Sequence, residues 1–88
     1  MQVIFRKDKT TKEIVAFLPE CPVNYGNIMS YMHIGQHNEA SLKYYHTTEK
    51  AYAEEFIPLL GELQKIYDDE DLQVKYKLNY DLLNKSWR

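Results

Sequence analysis

The apolar stripe of one helix constrains the fold of this chain more than any other feature. From Tyr52 to Tyr67, apolar side chains recur at spacings of three and four residues, while glutamate, glutamine and lysine fall opposite them. This spacing predicts an amphipathic helix that packs along one side. Pro58 lies inside it and lacks the amide hydrogen that the carbonyl of Glu54 would accept, which costs on the order of 3 kcal/mol in a helix interior. We expect a kink there, and Thr48 is a candidate N-cap for the helix.

Four short segments predict the strands that pack against this helix. Residues 2–6 and 13–18 are β-branched and aromatic runs separated by a polar, turn-compatible segment, which is the pattern of a β-hairpin. Residues 28–34 fit a third strand, and residues 72–78 alternate apolar with polar side chains more regularly than any other segment. The apolar side of the last strand is expected to meet the helix stripe.

Two shorter helical segments complete the expected secondary structure. Asn38 is a candidate N-cap for a helical turn over residues 39–44, with irregular structure as the equal alternative, and Asn79 is a candidate N-cap for a last turn over residues 80–85. The predicted fold class is therefore α+β: a small, mainly antiparallel sheet of three to four strands packed against one main amphipathic helix, with a short C-terminal helix. A chain of 88 residues has room for one core, so residues 1–88 are expected to form a single domain.

Charge and cysteine content narrow the classes of partner. The formal net charge is −2, which provides no global attraction to nucleic acid or to an anionic membrane. The single cysteine excludes an internal disulfide, and we find neither a secretory signal nor an apolar run of the ~18 residues that a transmembrane helix needs. We therefore expect a cytoplasmic protein with no membrane association.

Residues 30–37 hold the densest set of chemically versatile side chains, with two imidazoles, a phenol and an amide in the sequence Ser-Tyr-Met-His-Ile-Gly-Gln-His. This octapeptide resembles a family of short uncharacterised proteins of gut anaerobic bacteria and their bacteriophages. The likeness covers roughly the first two thirds of the chain and extends to residues 3–7 and 13–20 and, more loosely, to residues 54–56 and 62–63. The resemblance implies a bacterial or phage origin but no activity. It also favours a helix start at Tyr52, where the family has a threonine.

The favoured function is a non-enzymatic protein-interaction or adaptor module. Tyrosine is the commonest aromatic residue, with eight copies, and it can bury its ring while its hydroxyl stays in water. The region around residues 30–37 is therefore the candidate contact surface for a protein partner or for a second copy of the chain in a homodimer. The candidate binding residues are Tyr31, His33, Gln36 and His37.

The alternative function is binding of single-stranded nucleic acid. If the predicted strands form a sheet with one open face, that face carries a basic, tyrosine-bearing set of residues, namely Arg6, Lys75 and Lys77 with Tyr31 and His33. Cations interleaved with aromatic rings bind single strands through phosphate attraction and base stacking. The overall acidity counts against this function, and lysines on a strand also occur simply as a solvated edge that prevents aggregation.

Metal binding and catalysis have less support. Zinc accepts the residue types of His33, His37, His46 and Cys21, but the paired Cys-x-x-Cys spacing of structural zinc sites is missing. Cys21 has no recognised nucleophile motif around it, and the three glycines stand alone, so there is no glycine-rich phosphate loop. We therefore predict no metal, no cofactor and no catalytic residue.

Overall fold

A computed structural model describes residues 1–33 and 35–88, and in these residues it contains six strands and three helices. The strands are β1 (Gln2–Lys7), β2 (Ile14–Leu18), β3 (Asn27–Met32), β4 (Gln36–Ser41), β5 (Glu49–Lys50) and β6 (Gln73–Lys75). The helices are α1 (Leu42–Thr47), α2 (Ala53–Ile66) and α3 (Tyr80–Ser86). The fold class is α+β, as the apolar patterns predict, and α2 is the one main helix.

The six strands form one mainly antiparallel sheet. The order across it is β4-β3-β2-β1-β5, and β6 joins the same edge of β1 as β5 does. β6 runs parallel to β1, whereas the other pairs are antiparallel. β5 lies opposite Arg6 and Lys7, and β6 lies opposite Gln2, Val3 and Ile4. The two short strands therefore lie end to end along β1.

The sheet is buried on both faces, which makes three layers. On the α2 side, Phe5 stacks on Phe56 with ring centroids 4.5 Å apart. On the side of α1 and α3, the edge of Tyr45 meets the ring of Phe17 with centroids 5.0 Å apart, and Leu83 of α3 is fully buried. Burying a side chain of this size stabilises the fold by about 1.5–3 kcal/mol. Both apolar clusters thus use the same strands as their common wall.

The strand count exceeds the three to four that the sequence predicts. β4 occupies a segment for which the sequence predicts a helical turn capped by Asn38. The prediction is wrong there because residues 36–41 pair with β3 along their whole length. α1 begins only after Ser41, whose Oγ accepts a hydrogen bond from the Tyr44 amide at 3.0 Å. β5 has two residues, which is too few to show any period.

The remaining elements lie within a few residues of their predicted positions. β3 ends at Met32, and residue 34 of the predicted third strand lies outside the described residues. Of the strand predicted over 72–78, three residues pair with β1. The side chains of Leu72 and Val74 pack against the apolar cluster on the α2 side, as expected from the alternation, whereas Leu78 packs against the cluster on the opposite side.

Helix α2 begins directly after Tyr52, one of the two predicted starts. The Tyr52 amide donates to Oε1 of Glu55 at 3.0 Å, which satisfies a backbone donor at the start of the helix. The helix spans 14 residues and continues through Pro58, and the kink expected there stays a prediction. In the part of the chain that the structure describes, no helix combines the length and the apolarity needed to cross a membrane.

Candidate functional site

The predicted contact residues lie on the hairpin that joins β3 to β4. Tyr31 pairs with His37 across this hairpin, and Met32 pairs with Gln36. Gly35 has φ +82° and its amide donates to the carbonyl of Met32 at 2.9 Å. Glycine tolerates this conformation because it has no Cβ. The tight turn therefore places the two ends of the octapeptide side by side.

A glutamate of α2 holds one side of this hairpin. The Tyr31 hydroxyl donates to Oε1 of Glu62 at 3.1 Å, and Nδ1 of His33 contacts Oε2 of the same carboxylate. The hydrogen bond with His33 holds the pKa of Glu62 below its usual value, and the bond from Tyr31 acts in the same direction. Burial raises the pKa of Tyr31, and the Glu62 carboxylate raises it further. Glu62 is therefore an anion that fastens the hairpin to the helix.

The tyrosine at the end of α2 holds the other side. Nε2 of His37 lies 2.8 Å from the Tyr67 hydroxyl, and the His37 ring centroid lies 4.9 Å from that of Tyr31. The Tyr67 hydroxyl also faces the thiol of Cys21. Burial raises the pKa of both Cys21 and Tyr67. Cys21 is thus a protonated, half-buried thiol, which is the state of a structural cysteine rather than of a nucleophile.

An apolar groove lies next to the hairpin, between α2 and the adjacent ends of β2 and β3. Its volume is ≈ 300 Å³. Three segments that are distant in sequence line it, and they contribute Glu13 and Ile14, Met32 and His33, and Glu55, Pro58 and Leu59. Ligand pockets usually measure about 300–1,000 Å³. The groove is therefore large enough for one or two side chains of a partner and small for a cofactor.

The polar part of the lining is acidic. Both carboxylate oxygens of Glu55 are engaged, one by the Tyr52 amide and the other by the ammonium of Lys7. The hydrogen bond from Lys7 holds the pKa of Glu55 below its usual value, and Glu55 in turn raises the pKa of Lys7. Glu13 is exposed and makes no ion pair within residues 1–33 and 35–88. Its carboxylate is available to a ligand.

The structure brings Tyr31, His33 and His37 together through their contacts with α2. Tyr31 is only 3% exposed, so its ring belongs to the core and not to a contact surface. His33 is largely exposed and lines the groove, and Gln36 is exposed on the facing strand. Of the predicted residues, His33 and Gln36 are therefore the most accessible to a partner, while Tyr31 supports them from beneath. Sequence reasoning missed Glu13 and Pro58 as site residues, because only the fold brings their distant segments together at the groove.

Arg6, one of the basic residues predicted for nucleic-acid binding, does not share a face with Tyr31. The guanidinium carbon of Arg6 lies 5.4 Å from the ring centroid of Tyr45, on the α1 side of the sheet. Tyr31 lies on the opposite side, under α2. Lys75 and Lys77 are exposed at and after β6. Because α1 and α3 cover the face that would carry Arg6, the open face on which this alternative depends is not formed.

A lysine flanked by two exposed aromatic rings lies where β5 meets β6. Nζ of Lys50 is 5.1 Å from the ring centroid of Tyr52 and 4.9 Å from that of Tyr76. The two rings are 55% and 47% exposed. Lys75 and Lys77 flank Tyr76 in the sequence. We call these five residues the edge patch. Sequence analysis missed it because only the pairing of both short strands with β1 brings its two segments together.

His37 and Cys21 both neighbour the Tyr67 hydroxyl, whereas His33 and His46 lie beside other residues. Among residues 1–33 and 35–88, no group of three or more His, Cys, Asp or Glu side chains is arranged to hold a metal ion. Each imidazole instead has its own neighbour, which is Glu62 for His33, Tyr67 for His37 and Tyr80 for His46. These contacts give the three histidines separate structural surroundings.

Comparison with known proteins yields no relative. The chain matches no family model, no curated protein and no solved structure. Inference about its function therefore rests on the geometry of the hairpin, the groove and the edge patch.

Proposed function

We propose that this protein is a small non-enzymatic protein-interaction or adaptor module of bacterial or phage origin that acts in the cytoplasm. The observation that carries the proposal is the apolar groove beside the β3–β4 hairpin. Apolar recesses with a polar rim are typical of protein-binding sites. The origin rests on the resemblance of residues 30–37, and the location rests on the single cysteine.

The anchoring of the hairpin supports a binding role. Glu62 lies in the C-terminal half of α2, and Tyr67 follows the last residue of the helix. Glu62 holds the hairpin through His33, and Tyr67 holds it through His37. A surface that is already ordered loses less conformational entropy when a partner binds. The groove and the exposed side chains of His33, Gln36, Glu13 and Pro58 form one continuous candidate surface, which we call the hairpin–helix surface.

The surroundings of Cys21 support a non-enzymatic role. A cysteine nucleophile needs a neighbouring base that removes its proton. The Tyr67 phenol hydrogen-bonds to the Cys21 thiol, and burial keeps the pKa of the thiol high. A buried thiol that stays protonated beside a phenol is a weak nucleophile.

Affinity capture with matched variants tests the proposal. The tagged protein is incubated with a lysate of gut anaerobic bacteria, the source that the resemblance implies, in nuclease-treated and untreated halves. We expect one defined protein to be retained in both halves and to be lost with a variant that carries His33→Ala and Gln36→Ala. These side chains are exposed, so the variant should fold, which circular dichroism checks.

The control variant also removes one imidazole and one amide side chain, but from the helices on the other side of the sheet. His46→Ala with Asn84→Ala changes an exposed imidazole and an exposed amide on α1 and α3. We expect this control to retain the partner at the wild-type level. Equal loss in both variants, or no protein retained specifically in either half, would refute the interaction role of the hairpin–helix surface.

Binding of single-stranded nucleic acid is the alternative, and the edge patch is the observation that favours it. Two half-exposed tyrosine rings lie beside Lys50, and Lys75 and Lys77 flank Tyr76 in the sequence. Such a set offers stacking and phosphate attraction together. The test is binding of a labelled single-stranded oligonucleotide to a Lys75→Glu, Lys77→Glu variant. The matched control is Lys43→Glu with Lys85→Glu, two exposed lysines of α1 and α3. Affinity that falls steeply with salt and is lost in the first variant alone would favour this function over the adaptor role.

A further inference from the structure

We infer that the groove binds a peptide segment of a partner protein in which a lysine or arginine lies next to a bulky aliphatic or aromatic residue. This inference rests on the proposed interaction function and adds the chemistry of the partner. It follows from the shape of the groove floor, from the acceptors on its rim and from the charges around it.

The floor of the groove selects an apolar side chain. Ile14, Met32, Pro58 and Leu59 form most of the lining, and the volume is ≈ 300 Å³. Transfer of an apolar side chain from water to such a surface is favourable in proportion to the area that is buried. A site at the lower end of the ligand-pocket range fits side chains of an extended peptide better than a nucleotide or a large cofactor.

Glu13 supplies the contact for a cation. The other carboxylate of the lining, Glu55, already accepts hydrogen bonds from Lys7 and from the Tyr52 amide. Glu13 makes no ion pair in the described ranges 1–33 and 35–88, and it is exposed at the rim. A lysine or arginine of the peptide therefore meets an unpaired carboxylate while the residue beside it enters the apolar floor.

Pro58 leaves the carbonyl of Glu54, one turn earlier in α2, without its usual helical donor. The carbonyl of Glu54 points along α2 towards Pro58, which has no N–H to donate. A carbonyl oxygen without its helical partner keeps its capacity to accept a hydrogen bond. A backbone amide or an ammonium group of a bound peptide can satisfy this oxygen.

The surrounding charge disfavours an anionic occupant. Glu13 and Glu55 line the groove, and Glu54 and Glu62 lie on the same helix as Glu55. Lys7 pairs with Glu55, and His33 contacts Glu62. Acidic peptides and nucleic-acid phosphates would meet like charge at close range, which costs affinity and lowers the association rate.

Three matched peptide probes test the inference on the whole protein. The first is an acetylated and amidated hexapeptide of alternating lysine and phenylalanine, titrated into isotope-labelled protein at low salt. We expect its binding to shift the backbone amide signals of Ile14, Met32 and Leu59. The second probe replaces lysine with glutamate and should bind about tenfold more weakly or less because it reverses the charge. The third replaces phenylalanine with alanine and should also bind about tenfold more weakly because it loses the buried apolar area.

A pair of charge-removing variants locates the cation contact. Glu13→Gln should lower the affinity for the lysine probe by about two- to fivefold, which is the range that one exposed ion pair contributes. The control is Asp69→Asn, which removes an exposed carboxylate outside the groove lining and should leave the affinity unchanged. Both substituted residues are exposed, so neither should prevent folding, and thermal unfolding verifies this.

Three results would overturn the inference. They are equal binding of the lysine and glutamate probes, equal affinity of the Glu13→Gln and Asp69→Asn variants, and an oligonucleotide that shifts the same amide signals. If capture of a protein still depends on His33 and Gln36 while the lysine probe shows no preference, the interaction function stands and this inference fails. If the lysine probe binds as expected but no cellular protein is captured through the hairpin, the proposed function fails separately.

Discussion

At the scale of single residues, Asp8 connects the first hairpin to helix α1. Its Oδ1 accepts the amides of Thr10 and Thr11 at 2.8 and 3.0 Å, and its Oδ2 accepts the Tyr44 hydroxyl at 2.7 Å. The bond from Tyr44, followed by the two amide bonds, holds the pKa of Asp8 below its usual value. Burial, with the Asp8 carboxylate as the next cause, raises the pKa of Tyr44 to about 12. A turn aspartate thus couples two elements of the fold.

The contact between Asp8 and Tyr44 predicts that the free energy of unfolding falls at both acid and alkaline pH. The pKa of Asp8 is depressed in the folded protein, so its stabilising effect is present above its unfolded pKa and is lost as the pH falls through the folded value. The pKa of Tyr44 is raised, so its stabilising effect is present below about pH 10 and is lost as the pH rises towards 12. In Tyr44→Phe we expect a smaller loss of stability at alkaline pH, with the remainder due to other tyrosines whose pKa burial raises, and a higher pKa of Asp8.

Chemical denaturation from pH 9 to 12, together with a carbon-detected titration of Asp8, measures both effects. The amides of Thr10 and Thr11 remain in the variant, so Asp8 should keep part of its depression. An unchanged Asp8 pKa in Tyr44→Phe would show that the hydroxyl does not contact the carboxylate in solution.

A buried hydroxyl near the C-terminus provides a second prediction at this scale. Oγ of Ser86 donates to the carbonyl of Pro19 at 2.6 Å, and Ser86 is 7% exposed. Ser86→Ala leaves that buried carbonyl without its donor, so we expect a loss of about 1–3 kcal/mol in the free energy of unfolding. The control is Thr47→Ala, because the Thr47 hydroxyl also donates to a carbonyl but is exposed. Urea denaturation should show a change within about 0.5 kcal/mol for the control, and equal losses would contradict the prediction.

At the scale of elements, the proline in α2 predicts that this helix can be made more stable. Pro58 removes the bond to the Glu54 carbonyl, and a proline in a helix interior costs about 3 kcal/mol relative to alanine. Pro58→Ala should therefore raise the free energy of unfolding by about 1–3 kcal/mol, measured by denaturant unfolding. If the groove uses the freed carbonyl, the same variant should bind the lysine probe more weakly.

Gly61→Ala is the matched control on the same helix. An added Cβ there meets nothing within 4 Å, so only helix propensity changes. The expected gain is about 1 kcal/mol. A gain in Pro58→Ala no larger than that in Gly61→Ala would mean that the proline is accommodated without the loss of a helical hydrogen bond.

At the scale of the whole molecule, two apolar clusters share one sheet and should unfold together. The radius of gyration is 11.9 Å, close to the ~12 Å of a compact domain of this length. Leu63 is fully buried in the cluster under α2, and Leu83 is fully buried in the cluster under α3. Truncating either to alanine should cost about 2–5 kcal/mol.

The single tryptophan, Trp87, reports on the second cluster, where its Nε1 donates to the carbonyl of Asn27 at 2.7 Å. Leu63→Ala should therefore shift the fluorescence and circular dichroism transitions by the same amount, although Leu63 lies in the other layer. Leu83→Ala, on α3, should also shift both transitions by the same amount. A fluorescence transition that stays in place in Leu63→Ala would show that the layers unfold independently.

The limits of sequence reasoning are clearest in the strands. β4 consists of Gln36–Ser41, and five of its six residues are exposed. It therefore has no alternation of apolar and polar residues that would predict a strand. Conversely, Val3, Ile4 and Phe5 form an unbroken apolar run, as do residues 14–18. Such runs are typical of strands that are buried on both faces. Read in that way, they would have predicted the third layer and argued against an open basic face.

The sequence by itself determined that α2, the β1–β2 hairpin and the short C-terminal helix exist. The one apolar side of α2, and the two apolar runs of the hairpin with a polar segment between them, are local patterns that need no distant contact to be recognised. Only the tertiary structure decided that β6 runs parallel to β1, that Arg6 lies apart from Tyr31 and that Glu13, His33 and Pro58 line one groove. Those outcomes depend on contacts between segments 20 or more residues apart. Local sequence patterns do not predict such contacts, because the contacts contribute to stability only after the sheet has brought the segments together.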